Sequence, residues 1–389
     1  MIQKLFDLFR RPTINIHFNH GPFLEIESDA PTHHVRMLDA GVVIHEADIE
    51  GRHWTRANRR YFTPWKLELL NARGQQVFEH AFDLKGRRVR INIDSRSLGD
   101  TLAWLPQVQA FAERHPEASV YVSQFWSDLF DQAAYPQLAF IQPDSIVTDC
   151  YATYDIGYYF DNPEWHHPED PRLQPLGKIA SDILGLPYQE LKPALKPRRT
   201  NAVRDNHPVV CIATASTAEC KHWLYPGGWQ TVVDHLVAKG FEVVVIQKED
   251  TNLERVTDET GDRPMEERIA RIAHSTLFIG LGSGLSWLAW ALDTPVVLIS
   301  GFSEPYAEFQ SGCERVINRS VCHGCWNDPA HVFDRGDWHW CPRHAGTDRQ
   351  FECSREIAPA SVIAAVDRAL SKSRRPAPQP LSSPALHTG

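Results

Sequence analysis

No stretch of the chain is both long and apolar enough to cross a bilayer as a helix. The longest uncharged run, Ser275 to Leu292, carries three glycines and three serines. That punctuation reads as strand, turn and helix rather than as a membrane span. The opening MIQKLFDLFRRP has basic residues, but its apolar stretch is short and Asp7 interrupts it, so no secretory leader is expected. An excess of positive charge is also missing. The net charge is −9 over 389 residues, which excludes broad electrostatic binding to nucleic acid or to an anionic membrane. No GxSxG, HExxH, GxxxxGK or kinase set occurs, and no repeat of solenoid period. GxGxxG is matched only partly, at Gly280, Gly282 and Gly284, so a nicotinamide site has little support. What remains is an ordinary globular composition, 42% hydrophobic and 23% charged, in a chain long enough for two or three domains.

Cysteine, by contrast, is concentrated. Four of the eight cysteines, Cys322, Cys325, Cys341 and Cys353, fall in the segment VCHGCWNDPAHVFDRGDWHWCPRHAGTDRQFEC. A CxxC places two sulfurs on one tight turn, and two later cysteines close a tetrahedron. Thiolates are soft ligands that suit zinc or iron and not magnesium or calcium. The segment has few aliphatic residues, so a metal can replace the missing core. His323, His331, His339 and His344 lie between the cysteines and are alternative ligands, though each reads better as a surface residue. A closed four-thiolate site has no open position for substrate, so its expected role is structural. Reduced thiols and the missing leader point to the cytoplasm.

Along the chain, residues 1–88 read as a β-rich N-terminal domain, a small barrel or sandwich, from short alternating segments such as INIHF, FLEIES, GVVIHEADI and KLELLN. Residues 89–200 read as a first Rossmann-like domain. Its strand VRINID precedes a helix spaced through Leu102, Leu105, Val108 and Phe111. ASVYVS and LAFIQ are further strands, SDLFDQAAY is a helix, and DCYATYDIGYYFDNPEW is an aromatic-rich excursion. The proline-rich 187–208 is the best linker. Residues 201–320 repeat the strand–helix rhythm of a second such domain. The cysteine motif (321–355), a helix (356–372) and a disordered tail (373–389) follow.

Three loops carry chemistry-bearing residues. Asp100, in SLGDTLAW, lies between a strand and a helix at the mouth of a parallel sheet. It can serve as a base or as a helix cap. Thr214, Ser216 and Thr217, with Lys221 after them, follow the strand VVCIAT and suit a phosphate-bearing ligand. Gly282, Ser283, Gly284 and Leu285 open a helix straight after TLFIGL, where exposed N–H groups favour an anion.

SLGDTLAW, CKHWLYPGGW and GLGSGLSWLAWALDTPVVLISG, in that order, resemble the heptosyltransferases of lipopolysaccharide inner core. With the β-rich N-terminus and the cysteine segment, the chain is closer to the bacterial autotransporter heptosyltransferases over nearly its whole length. The resemblance implies two Rossmann-like domains of GT-B type facing a cleft, with an N-terminal β domain and a four-cysteine metal-binding insertion. It implies ADP-heptose as donor and serine hydroxyls of an autotransporter passenger as acceptor, with inversion at the anomeric carbon. It implies Asp100 as base, Lys221 on the donor diphosphate, and the donor loop at Ser283, Gly284 and Leu285. It implies one iron per chain on the four cysteines, with zinc the alternative that thiolates also suit, and large homo-oligomeric rings of dodecamer type. No catalytic divalent ion is implied, in keeping with the lack of an obvious DxD pair. Where the lipopolysaccharide enzymes carry DTGLSH, this chain has GSGLSW, so Gly282 and Trp287 replace an acid and a histidine and the sugar contacts must differ. The alternatives are a lipopolysaccharide-core enzyme with a sugar acceptor and a non-catalytic metal-ribbon scaffold that binds protein.

Overall fold

A computed structural model describes residues 13–27, 32–196, 208–334 and 336–372. The opening MIQKLFDLFRRP and the tail expected at 373–389 lie outside the described residues, as does half of the linker expected at 187–208. The chain forms two compact units, and each is described by itself.

The first unit is built on a seven-stranded sheet and a four-stranded sheet. The N-terminal strands are β1 (Thr13–Asn19), β2 (Phe23–Glu27), β3 (His33–Asp39), β4 (Val42–Ile49), β5 (Arg52–Arg56), β6 (Trp65–Asn71) and β7 (Gln76–Ala81). Then come β8 (Arg88–Ile93), β9 (Ser119–Ser123), β10 (Leu138–Ile141) and β11 (Ala152–Ile156). The larger sheet runs β10-β9-β8-β11-β1-β2-β5. Its first five strands pair in parallel, and β2 and β5 join antiparallel. The smaller sheet, β4-β3-β6-β7, is antiparallel throughout.

This corrects three expectations. Residues 1–88 do not close as a domain of their own, because β1, β2 and β5 extend the parallel sheet. The aromatic excursion contains β11, which lies between β8 and β1. Four of its five residues are buried, so its pattern lacks the alternation that marks a half-exposed strand. SDLFDQAAY likewise forms two 3-10 turns, Ser127–Leu129 and Gln132–Ala134, and not a helix. The helix α1 (Leu98–Arg114) does form. Leu102, Leu105, Val108 and Phe111 are fully buried, which is the face their spacing dictates.

His167 in this unit gives the fold a pH dependence. The Tyr159 N–H donates to His167 Nε2 at 3.3 Å. Nδ1 is buried without a partner among the described residues. Burial, with His166 beside it, pulls the imidazole pKa down to about 4. A base whose folded pKa lies below its unfolded value of 6.5 contributes stability above that value and loses it as pH falls through 4. The full effect is roughly 3 kcal/mol. His167→Gln is expected to shrink the fall in Tm between pH 7 and 4, read by calorimetry. An unchanged pH slope would remove His167 from the account.

The second unit holds β12 (Val209–Ile212), β13 (Glu242–Val245), β14 (Thr257–Asp258), β15 (Leu277–Gly280), β16 (Val296–Ile299) and β17 (Cys313–Val316). The order is β14-β13-β12-β15-β16-β17 and every pairing is parallel. All residues of β12, β15 and β16 are buried, as expected of a parallel sheet covered on both faces. Its longer helices are α2 (Gly228–Ala238), α3 (Met265–His274), α4 (Gly284–Ala291) and α5 (Pro359–Lys372). Val232, Val233 and Leu236 of α2 share one core with Val362, Val366 and Ala369 of α5 and with the sheet. The boundaries expected at 320 and 355 are therefore not boundaries of packing. The unit also takes in Ser97–Leu102, the first turn of α1. Among the described residues no helix is long and apolar enough to cross a membrane.

Candidate functional site

In the second unit, strand order reverses between β12 and β15. Loops leaving the carboxyl ends of those two strands diverge, and ligands of doubly wound sheets bind there. The loop after β12 carries Thr214, Ser216, Thr217 and Lys221. The loop after β15 carries Gly282, Ser283, Gly284 and Leu285. Two of the three sequence-derived groups thus meet at the switch point.

Each loop has a specific shape. Gln247, buried just beyond β13, takes the Thr214 hydroxyl and the Ala215 N–H on Oε1, both at 3.0 Å, and also the Thr214 N–H. The Thr214 hydroxyl hydrogen is therefore engaged in holding the loop. The Ser216 N–H donates to His222 Nε2 at 3.0 Å. Lys221 ends a 3-10 turn, Glu219–Lys221, with its ammonium 5.9 Å from the Phe302 ring centre. On the other loop Ser283 caps α4 without a side-chain cap bond. Its buried Oγ has no partner among the described residues. The first N–H groups of any helix lack intrahelical acceptors, so hydroxyl and amides together offer donors to an anion. Gln247 and His222 hold the loop in shape, and sequence reasoning passed over both. The only signal was their place at the carboxyl end of a strand and inside the CKHW motif.

The third group joins the same unit. A side-chain carbon on Gly284 would lie 3.1 Å from Leu98 Cβ and 3.4 Å from the Gly99 N. The absent side chain lets the turn bearing Asp100 approach the loop after β15. Asp100 sits in the first turn of α1. Its N–H faces Ser97 Oγ at 3.5 Å, so Ser97 occupies the cap position and Asp100 does not.

The cysteine segment packs under the lysine turn. Cys322 and Cys325 have their sulfurs 3.9 Å apart. Tetrahedral bonds of about 2.3 Å space sulfurs by roughly 3.8 Å, so this pair fits a thiolate-bound metal. Cys325 and Cys341 are buried in one cluster with Cys220, Phe302, Trp340 and Phe351, and Cys322 packs against it. Burial and the neighbouring sulfurs push the Cys325 and Cys353 thiols up to about 12. Such a crowd of thiols is what a cation would stabilise as thiolates. His344 and Glu352 also bring ligand atoms within 4.8 Å of Cys322. His323, His331 and His339 are engaged elsewhere, with the Val321 carbonyl, Asp328 and Glu219 respectively. The Arg349 guanidinium holds the Glu352 carboxyl down at about 2, and that carboxylate accepts the Cys322 N–H at 3.0 Å.

Contacts bind this segment to residues 219–224 along their length. The Glu219 N–H donates to the Trp338 carbonyl at 3.0 Å. Cys220 lies among the cluster sulfurs. Ser354 Oγ donates to the His222 carbonyl and accepts the Leu224 N–H at 3.2 Å.

A doubly wound parallel sheet with hydroxyl, lysine and helix N-terminal groups at its switch point suits an anionic ligand, and comparison with known proteins identifies the class. The family model for Glycosyltransferase family 9 (heptosyltransferase) matches residues 151–309. The autotransporter heptosyltransferase BAHTCr of Citrobacter rodentium is 37% identical over 86% of this chain and 84% of its own. The autotransporter heptosyltransferase TibC of Escherichia coli H10407 is 37% identical over 86% and 85%. The crystal structure of TibC, an iron-containing dodecameric glycosyltransferase, superposes with a TM-score of 0.85 over 92% of this chain and 95% of that one. TibC has also been solved with ADP-D-β-D-heptose. A further relative, BimC of Burkholderia thailandensis, is 33% identical over 89% and 83% and is described as inactive. The chain belongs to the bacterial autotransporter heptosyltransferases and is a glycosyltransferase.

Proposed function

We propose that the chain transfers heptose from ADP-heptose to serine hydroxyls of an autotransporter passenger, with inversion, and that Asp100 is the general base. The observation that carries this reading is the approach of the Asp100 turn to Gly284 of the donor loop. Asp100 takes the serine proton as the serine oxygen attacks the anomeric carbon. The bond from that carbon to the ADP oxygen breaks on the opposite face. Charge grows on the leaving diphosphate, where Lys221, Ser216, Thr217, the Ser283 hydroxyl and the N–H groups of Gly284 and Leu285 oppose it. Thr214 serves by shaping its loop. Cys322, Cys325, Cys341 and Cys353 are the ligand set for one iron, and zinc suits the same donors. The metal supplies a structural cross-link beneath the lysine turn. A homo-oligomer, as in dodecameric TibC, completes the reading.

Calorimetric titration with ADP and ADP-heptose tests the donor half. Lys221→Ala is expected to weaken both about 10-fold or more, since it removes a charge-assisted contact to the diphosphate. Unchanged affinity for both would remove Lys221 from the donor site.

A further inference from the structure

The donor loop has a partner that lies outside all three sequence motifs. Gly282 is where a side chain would project from the loop after β15. A Cβ built there would sit 2.8 Å from Glu308 Oε1. The missing side chain therefore makes room for a carboxylate that reaches the loop from elsewhere in the chain. Glu308 follows a 3-10 turn, Pro305–Ala307, in the connection after β16. Its orientation is fixed by two groups, which are themselves bonded to each other. Arg315 of β17 donates from Nη1 to Oε2 at 2.5 Å. Ser303 Oγ donates to Oε1 at 2.9 Å. Arg315 Nη2 in turn donates to the Ser303 carbonyl and hydroxyl, both at 3.0 Å. The Glu308 and Arg315 side chains are each only 11% exposed.

Such a pair is a weak source of stability, because desolvation offsets most of the attraction. It is an effective way to hold a carboxylate in one place. Among the described residues Oε1 accepts one hydrogen bond, from Ser303, and a carboxylate oxygen accommodates two. In the same loop, the Ser283 hydroxyl is buried without a partner among the described residues. A rigid acceptor and an unsatisfied hydroxyl thus flank the backbone that the proposed function assigns to the diphosphate. What adjoins the diphosphate of a nucleotide sugar is a ring bearing several hydroxyl donors.

We infer that Glu308 is a specificity-determining residue, whose carboxylate accepts hydroxyl hydrogens from the sugar of the bound donor. Arg315 and Ser303 are its positioning residues. The inference rests on the donor reading above and adds to it the group that distinguishes a nucleotide sugar from the bare nucleotide. A carboxylate held by a buried arginine discriminates strongly, since a ligand without the hydroxyl leaves it unpaired.

Calorimetry on the full chain with ADP and, separately, ADP-heptose tests this, alongside the Tm of each protein. In Glu308→Gln the preference for ADP-heptose over ADP is expected to fall about 10-fold, with ADP affinity and Tm close to wild type. The pair Gly282→Asp with Glu308→Ala, which returns a carboxylate from the loop itself, is expected to recover part of that preference. A Glu308→Gln protein that keeps the wild-type preference overturns the inference. So does one that loses ADP and ADP-heptose equally together with Tm, because Glu308 is then only a counter-ion of Arg315. A wild type that binds ADP but gains nothing from the heptose removes the sugar reading itself, and the inference with it.

Discussion

Asp100→Asn is expected to lower the transfer rate by roughly 10²–10⁴-fold, the range that a positioned base contributes, and to leave ADP-heptose affinity within a few-fold. The amide is isosteric and keeps hydrogen-bonding oxygen at the start of α1, where Asn and Asp serve helix ends about equally. A purely local structural role would therefore survive the change. Ser97, one turn earlier, is the residue at the cap position, with Oγ 3.5 Å from the Asp100 N–H. The helix N-terminus favours the anionic carboxylate. Single-turnover kinetics with prebound ADP-heptose separate the two effects. Loss of rate and donor binding in parallel would return Asp100 to a structural role.

Cys325→Ser is expected to abolish the proposed metal binding and, with it, to weaken donor affinity. A structural thiolate site contributes folding energy directly, and the segment around it has little core of its own. A loss of a few kcal/mol in a chain of this size lowers Tm by roughly 4 °C. The second effect follows from packing. Cys220, next to Lys221, lies in the same buried cluster as Cys325 and Cys341. Residues 219–224 are bonded to Trp338 and Ser354 on either side of it. Gly301, just beyond β16, seals the arrangement, since a Cβ there would fall 2.1 Å from the Cys353 carbonyl oxygen. Elemental analysis with ADP titration checks both parts. A metal-free variant with wild-type ADP affinity would show that the lysine turn stands without the metal.

Both units were partly legible in the sequence, and for different reasons. α1 announced itself because Leu102, Leu105, Val108 and Phe111 recur at helical spacing, even with Pro106 inside the helix. The loop at Gly282–Leu285 was legible because glycine and serine interrupt an apolar run at one point, forcing a turn between β15 and α4. β11 was hidden because a strand buried on both sides shows no alternation, and its Tyr154 resembles the tyrosines of the loop around it. The N-terminal strands were recognised as strands, but which sheet takes an edge strand depends on partners far away in sequence. β1 pairs with β11, more than a hundred residues on, and no local pattern encodes that. Glu308 was hidden for the same reason. Nothing near it marks a site, and its role depends on Gly282 and Arg315, which only the fold brings to it.

Membership of the family does not by itself guarantee turnover, since one relative is described as inactive. The central claim is therefore tested by incubating the purified chain with ADP-heptose and a serine-bearing passenger fragment and reading the intact mass of the fragment. The account predicts increments of one heptose, located on serine residues and absent with Asp100→Asn. A passenger of unchanged mass, with lipid A–Kdo modified under the same conditions, would contradict it and assign the chain to a sugar acceptor.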